Sequence, residues 1–143
     1  MFTNHSFPAL KAGPSYEQGA NDSLLVAVQI ESKGGVENVE KIAQVPGLDI
    51  LLIGPFDLAK QLGIERGGPE HEAAIKRILE AAHAAGKKAA IFCTGGKDAQ
   101  VRTQQGFDMV SVVSIEGALA QKMQSELDVA TSAAEETQVG KAY

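Results

Sequence analysis

A chain of 143 residues, 44% hydrophobic and 22% charged, has room for one domain with a real core and the composition of an ordinary globular protein. Its net charge of −5, with Lys and Arg scattered, argues against a nucleic-acid partner, and no apolar run nears the roughly 20 residues that span a bilayer. A lone Cys93 excludes an intrachain disulfide and a cysteine zinc site, and without a basic-then-apolar leader the chain is expected in the cytoplasm.

Residues 1–22, rich in Gly, Pro, Asn and Ser, read as an irregular lead-in. "LLVAVQI" (24–30) is a near-continuous apolar run, the pattern of a strand covered on both faces. "SKGGVENVEKIAQVPG" predicts a helix with Val36, Val39, Ile42 and Ala43 on one stripe, closed by Pro46-Gly47. "LDILLIG" is a second buried strand. It runs into the short helix "PFDLAKQLG", where Pro55 suits the first helical position because its missing N–H costs nothing there. A loop leads to a longer helix over 69–85, with Ile75, Ile78, Leu79 and Ala82 on one face and Gly86 as its stop. "KKAAIFCTGG" predicts a third strand, "KDAQVRTQQG" a short helix and "FDMVSVVS" a fourth strand. The last helix, "IEGALAQKMQSELDVA", spaces Leu119, Met123 and Leu127 four apart. One folded domain is expected over 23–130, and the polar residues 131–143 are expected to fray.

Four alternations of strand and helix signal parallel βα units with right-handed crossovers, either half of a (β/α)8 barrel or a small doubly wound sheet. In both, function collects at the carboxyl ends of the strands, where Glu31 and Asp57 fall. Two converging carboxylates repel unless a cation or proton intervenes. A hard ion such as Mg²⁺ or Mn²⁺ takes one or two carboxylates and completes its shell with water and substrate oxygens. Gly54 permits close backbone approach to a ligand, and the first amides of the following helix, Phe56 to Leu58, make an anion site with its dipole. A cation beside an anion site suits a small 2-oxo acid, with the ion as the Lewis acid for an enolate. Taken singly, an acid early in a helix is most often only a favourable first-turn charge.

The other chemistry-bearing residues read as bystanders. His5, His71 and His83 are expected to be ordinary exposed histidines. Lys87 and Lys88 precede the third strand, at the rim opposite the acids, and Lys97 reads as the start of a solvated helix, so no Schiff-base lysine is assigned. "TGGKD" lacks the upstream Gly and the Ser/Thr of a P-loop. Cys93 is expected to be a buried, inert thiol.

"VQIES", followed by "GVENVEKIAQVPGLDILLIGPFDLAKQLG", resembles the HpcH/HpaI aldolase family of metal-dependent 2-oxo-acid aldolases, and the resemblance extends over 16–123. It rests on V-Q-I-E and I-G-P-x-D-L as a pair at this separation. The resemblance implies a (β/α)8 barrel with these motifs on its fifth and sixth strands. The four parallel βα units would then be the second half of a TIM barrel. It implies Glu31 and Asp57 as ligands of a divalent metal ion (Mg²⁺ or Mn²⁺, with Co²⁺ an option). Gln29 would share that pocket, and the backbone of Gly54, Pro55, Phe56 and Asp57 would orient a small 2-oxo-acid substrate. The implied reaction cleaves a 4-hydroxy-2-oxo acid to pyruvate and an aldehyde. Such a barrel takes about 250 residues. The chain is therefore expected to begin just before the fifth strand, with the family's catalytic His, its Asp partner and a substrate-binding Arg on the absent half. No catalytic residue is assigned, and activity of the chain alone is expected to be impaired. Open edges at the first and fourth strands predict a homo-oligomer or pairing with a complementary half-barrel. The alternatives are a non-catalytic assembly module or a truncated gene product.

Overall fold

The computed structural model describes residues 24–139, with side chains as far as residue 132. The expected lead-in with His5, and the last residues of the expected tail, lie outside the described residues. Strand and helix alternate as β1 (Ala27–Ile30), α1 (Lys33–Glu37), α2 (Val39–Ala43), β2 (Ile50–Ile53), α3 (Pro55–Leu62), α4 (Pro69–Ala84), β3 (Lys88–Ile91), α5 (Gly96–Gln104), β4 (Met109–Val110) and α6 (Ile115–Val139). The strands are parallel and ordered β1-β2-β3-β4, the expected partial-barrel pattern. The described residues divide inside β3 into two compact units, one ending at residue 89 and the other starting at residue 90.

In the first unit, β1 lies on β2 with Ala27 opposite Ile50 and Ile30 opposite Ile53. Asp49 pins the start of this pair: its carboxylate accepts the Val26 N–H at 2.8 Å, and its own N–H donates to the Val26 carbonyl at 2.9 Å. The Asp49 carbonyl in turn accepts the Lys88 N–H at 2.9 Å. α4 packs on β2 and on α2, turning Ile75, Ile78, Leu79 and Ala82 inward as its periodicity predicts. Together with Val39, Ala43, Leu51, Ile53 and Leu58 these form an aliphatic core, in which each fully buried Leu or Ile contributes about 1.5–3 kcal/mol. Pro55 and Pro69 both occupy first-turn positions of their helices. α3 stops at Gly63, whose φ of 68° is the left-handed backbone that glycine adopts without strain.

Two expectations here need correction. The single helix expected after β1 is broken at Asn38, whose φ of −111° and ψ of 12° are not helical. Asn38 closes α1, its backbone N–H making the last turn's bond to the Gly34 carbonyl, to which its side-chain amide also donates. Nor is the first strand covered on both faces: Leu24, Leu25 and Val26 are exposed, Leu25 by 76%. An apolar run records what a strand prefers, not whether a neighbour is there to cover it.

In the second unit, Ala90 pairs with Met109 and Ile91 with Val110, and α5 packs on β4. The expected fourth strand over 107–114 is reduced to that two-residue ladder. α6 continues to Val139, into the stretch expected to fray. Its Leu119, Met123 and Leu127 stripe is present but exposed, as is Ile115.

Candidate functional site

Because β1 and β2 run parallel and in register, the residues that follow them emerge at one rim: Glu31 after Ile30, and Gly54 after Ile53. Asp57 follows three residues later in the first turn of α3. Strand alternation puts Gln29 and Glu31 on one face of β1 and buried Ile30 on the other. The Gln29 side-chain amide Nε2 donates to Glu31 Oε2 at 2.5 Å.

Gly54 is buried and caps α3 with φ −99° and ψ 90°, an extended backbone open to any residue. Space, not conformation, is what a side chain would contend with here. A Cβ there would stand 2.5 Å from Gln29 Nε2 and 2.8 Å from Glu31 Oε2. The atoms that come close to Gly54 are the polar ends of Gln29 and Glu31 from the neighbouring strand. Gln29, Glu31 and Gly54 are brought together.

The first turn of α3 needs one correction. The Leu58 N–H already donates to the Gly54 carbonyl at 2.9 Å, and Pro55 has no N–H, so only the Phe56 and Asp57 amides remain of the expected anion site. Phe56 is 61% exposed. Asp57 is also exposed, and its carboxylate has no side-chain partner among the described residues.

Glu31 and Gln29 carry oxygen donors of the kind that suit a hard divalent ion, and the first turn of α3 carries a further carboxylate in Asp57. No group of three or more His, Cys, Asp or Glu residues able to hold a metal exists among the described residues.

One residue was misjudged from sequence. His71, expected to be exposed, is 1% exposed. Its Nδ1 accepts the Gly67 N–H at 3.1 Å, which leaves the proton on Nε2 to be donated to the Pro55 carbonyl at 2.8 Å. Glu72 Oε1 stands 3.9 Å from the same Nδ1, but the much closer Gly67 N–H occupies that lone pair. The signal was available: His71 extends the α4 stripe of Ile75, Ile78, Leu79 and Ala82 by one turn. His83, by contrast, is exposed as expected.

In the second unit Cys93 is fully buried, its N–H donating to Ser111 Oγ at 2.8 Å while Ser111 Oγ–H donates back to the Cys93 carbonyl at 3.1 Å. Burial, reinforced by the negative charge of Asp98, pushes the thiol up to about 11. Lys97 is exposed in the first turn of α5, as expected.

The family model described as "HpcH/HpaI aldolase/citrate lyase" matches residues 8–121. A hydroxypyruvate/pyruvate aldolase of Chromohalobacter salexigens is 43% identical over 68% of this chain and 39% of its own length. A 5-keto-4-deoxy-D-glucarate aldolase of an Enterobacter species is 36% identical over 80% of this chain and 46% of its own. Among solved structures, an HpcH/HpaI aldolase/citrate lyase family protein from Burkholderia cenocepacia superposes with a TM-score of 0.77 at 35% identity, over 81% of this chain and 46% of that one. The chain thus spans less than half the length of these relatives.

Proposed function

Since this chain belongs to the HpcH/HpaI aldolase/citrate lyase family, we propose that it carries the metal-binding and pyruvate-orienting side of a carbon–carbon lyase site acting on 4-hydroxy-2-oxo acids. The observation that carries the reading is the closure of Gly54 onto Gln29 and Glu31, at a rim that also holds Asp57. Glu31 and Asp57 would hold the ion, Mg²⁺ or Mn²⁺, which when bound supplies Lewis-acid stabilisation of an enolate. Gln29 fixes one oxygen of Glu31 and so selects which oxygen stays available. The Phe56 and Asp57 amides, at the positive end of α3, attract the substrate carboxylate.

The proton transfers and a cationic clamp are missing from this rim. Among the described residues no His or Arg follows a strand directly: His71 is bonded to Pro55 and Gly67, His83 and Arg77 lie in α4, Arg66 lies between α3 and α4, and Arg102 is buried on α5. Acid–base assistance typically contributes about 10²- to 10⁴-fold, so the chain alone should be a poor aldolase. The test is pyruvate release from a 4-hydroxy-2-oxo acid with Mg²⁺ and with EDTA, by this chain alone and beside an intact relative. A slow, EDTA-sensitive release fits. Brisk release that ignores EDTA would sink the metal assignment.

A second reading, a half-barrel that completes itself with another copy or a complementary half, is favoured by the exposed apolar residues Leu24, Leu25 and Val26 at β1. Light scattering after size exclusion decides it: a monodisperse monomer would rule it out.

A further inference from the structure

The first turn of α3 is held from behind by a residue that belongs to no strand end. His71 reaches from the first turn of α4 to the Pro55 carbonyl at 2.8 Å, two residues before Asp57, and is itself locked by the Gly67 N–H at 3.1 Å. The ring is 1% exposed. A buried imidazole bonded at both nitrogens has one tautomer and one orientation, so its contact with Pro55 is rigid. The turn it grips is otherwise weakly fixed: Gly54 caps α3 with no side-chain hydrogen bond and Pro55 donates nothing.

We propose that His71 is a positioning residue for the rim, fixing the Gly54–Asp57 turn through its Nε2–H bond to the Pro55 carbonyl so that the Asp57 carboxylate is presented to a divalent ion. The inference rests on the metal-site reading above. The Gly67–His71 segment, which enters α4 at Pro69, thereby becomes part of the site's frame. A ligand carboxylate on an unsupported turn must be ordered at the moment of binding, and that ordering weakens affinity.

Two substitutions separate positioning from simple packing. His71→Gln puts an amide donor near the place of Nε2 and keeps the Pro55 contact. His71→Asn puts an acceptor near Nδ1 and keeps the Gly67 contact instead. Mn²⁺ is titrated into the chain and the free ion followed by its electron paramagnetic resonance signal. Losing one hydrogen bond that matters is worth about tenfold in an equilibrium constant. His71→Asn is therefore expected to weaken Mn²⁺ binding by about that factor, and His71→Gln to stay within about twofold of the parent. Equal affinities in both variants, whatever their melting temperatures, would overturn the proposal.

A second measurement needs no variant. On titration with Mg²⁺, the His71 Nε2–H proton resonance of the parent is expected to shift together with the Leu58 amide, with one midpoint; a resonance indifferent to Mg²⁺ at saturation would overturn the proposal. A parent that binds neither ion defeats the metal reading instead. Hydrogen exchange at Leu58, whose N–H bonds Gly54, then decides the role of His71. Exchange faster in His71→Asn than in His71→Gln supports it, and equal rates reject it.

Discussion

Two turns of this molecule are built to the same local plan. Gly54 caps α3 and Asp57 follows three residues later; Gly95 caps α5 and Asp98 follows three residues later. Both glycines are extended, with φ of −99° and −172°, and both acids sit in a helical first turn. Their surroundings differ. A Cβ on Gly54 would strike Gln29 and Glu31, whereas a Cβ on Gly95 meets nothing within 4 Å. Asp57 has no side-chain partner among the described residues, while Asp98 accepts from Arg102 Nε at 3.3 Å within its own helix. Asp98 is thus the ordinary first-turn acid, and a glycine followed by an acid carries no chemistry by itself. What sets the first turn apart is the polar end of the adjacent strand.

The strongest way to break this distinction is to neutralise each turn in turn. Glu31→Gln with Asp57→Asn should abolish the rise in melting temperature that Mg²⁺ or Mn²⁺ gives the parent, and leave stability in EDTA equal or higher, because like charges are removed. Asp98→Asn should keep the full metal-induced rise. Equal shifts in parent and double variant would place the ion elsewhere.

Alkylation of Cys93, at the entrance to the second turn, is the next largest effect. With the thiol raised from 9.0 to about 11, the native thiolate fraction at pH 8 is about a hundredfold below that of the unfolded chain. Iodoacetamide should accordingly label the native protein that much more slowly than the denatured one. The unfolded thiol ionises first, so this contribution to stability is intact below pH 9.0 and is lost as pH rises toward about 11. Equal labelling rates would show the second turn to be as open as the first.

The smallest effect is the sharpest. Gly54→Ala should remain folded, because the atoms its Cβ meets are the movable ends of Gln29 and Glu31, yet it should weaken Mn²⁺ binding by about tenfold by displacing them. Gly95→Ala should leave binding unchanged. Calorimetric titration of the pair reads the difference directly; equal affinities would mean that the crowding at Gly54 has no bearing on the ion.

Much of the frame was legible in the sequence. The Gly-Pro stop after β2 and the helix from Pro69 follow from periodicity and from what glycine and proline permit. His71 was not read correctly because a polar residue on an apolar stripe was judged by its type and not by its phase. The break at Asn38 was hidden because no residue there forbids helix. The exposure of Leu25 was beyond any pattern, since covering is a property of neighbours.

Asp49, at the far end of the strands from Glu31, has a consequence for how the rim comes into being. It clasps Val26 by both its N–H and its carboxylate, and so sets the count from which every later residue of β1 is measured. A slip of a single residue along a strand exchanges its two faces. One such miscount would hand Ile30 to the place of Glu31 and turn both Gln29 and Glu31 away from Gly54. Asp49 therefore acts as the zero mark of a ruler: it touches nothing at the rim, yet it determines which letters of the sequence are read out there.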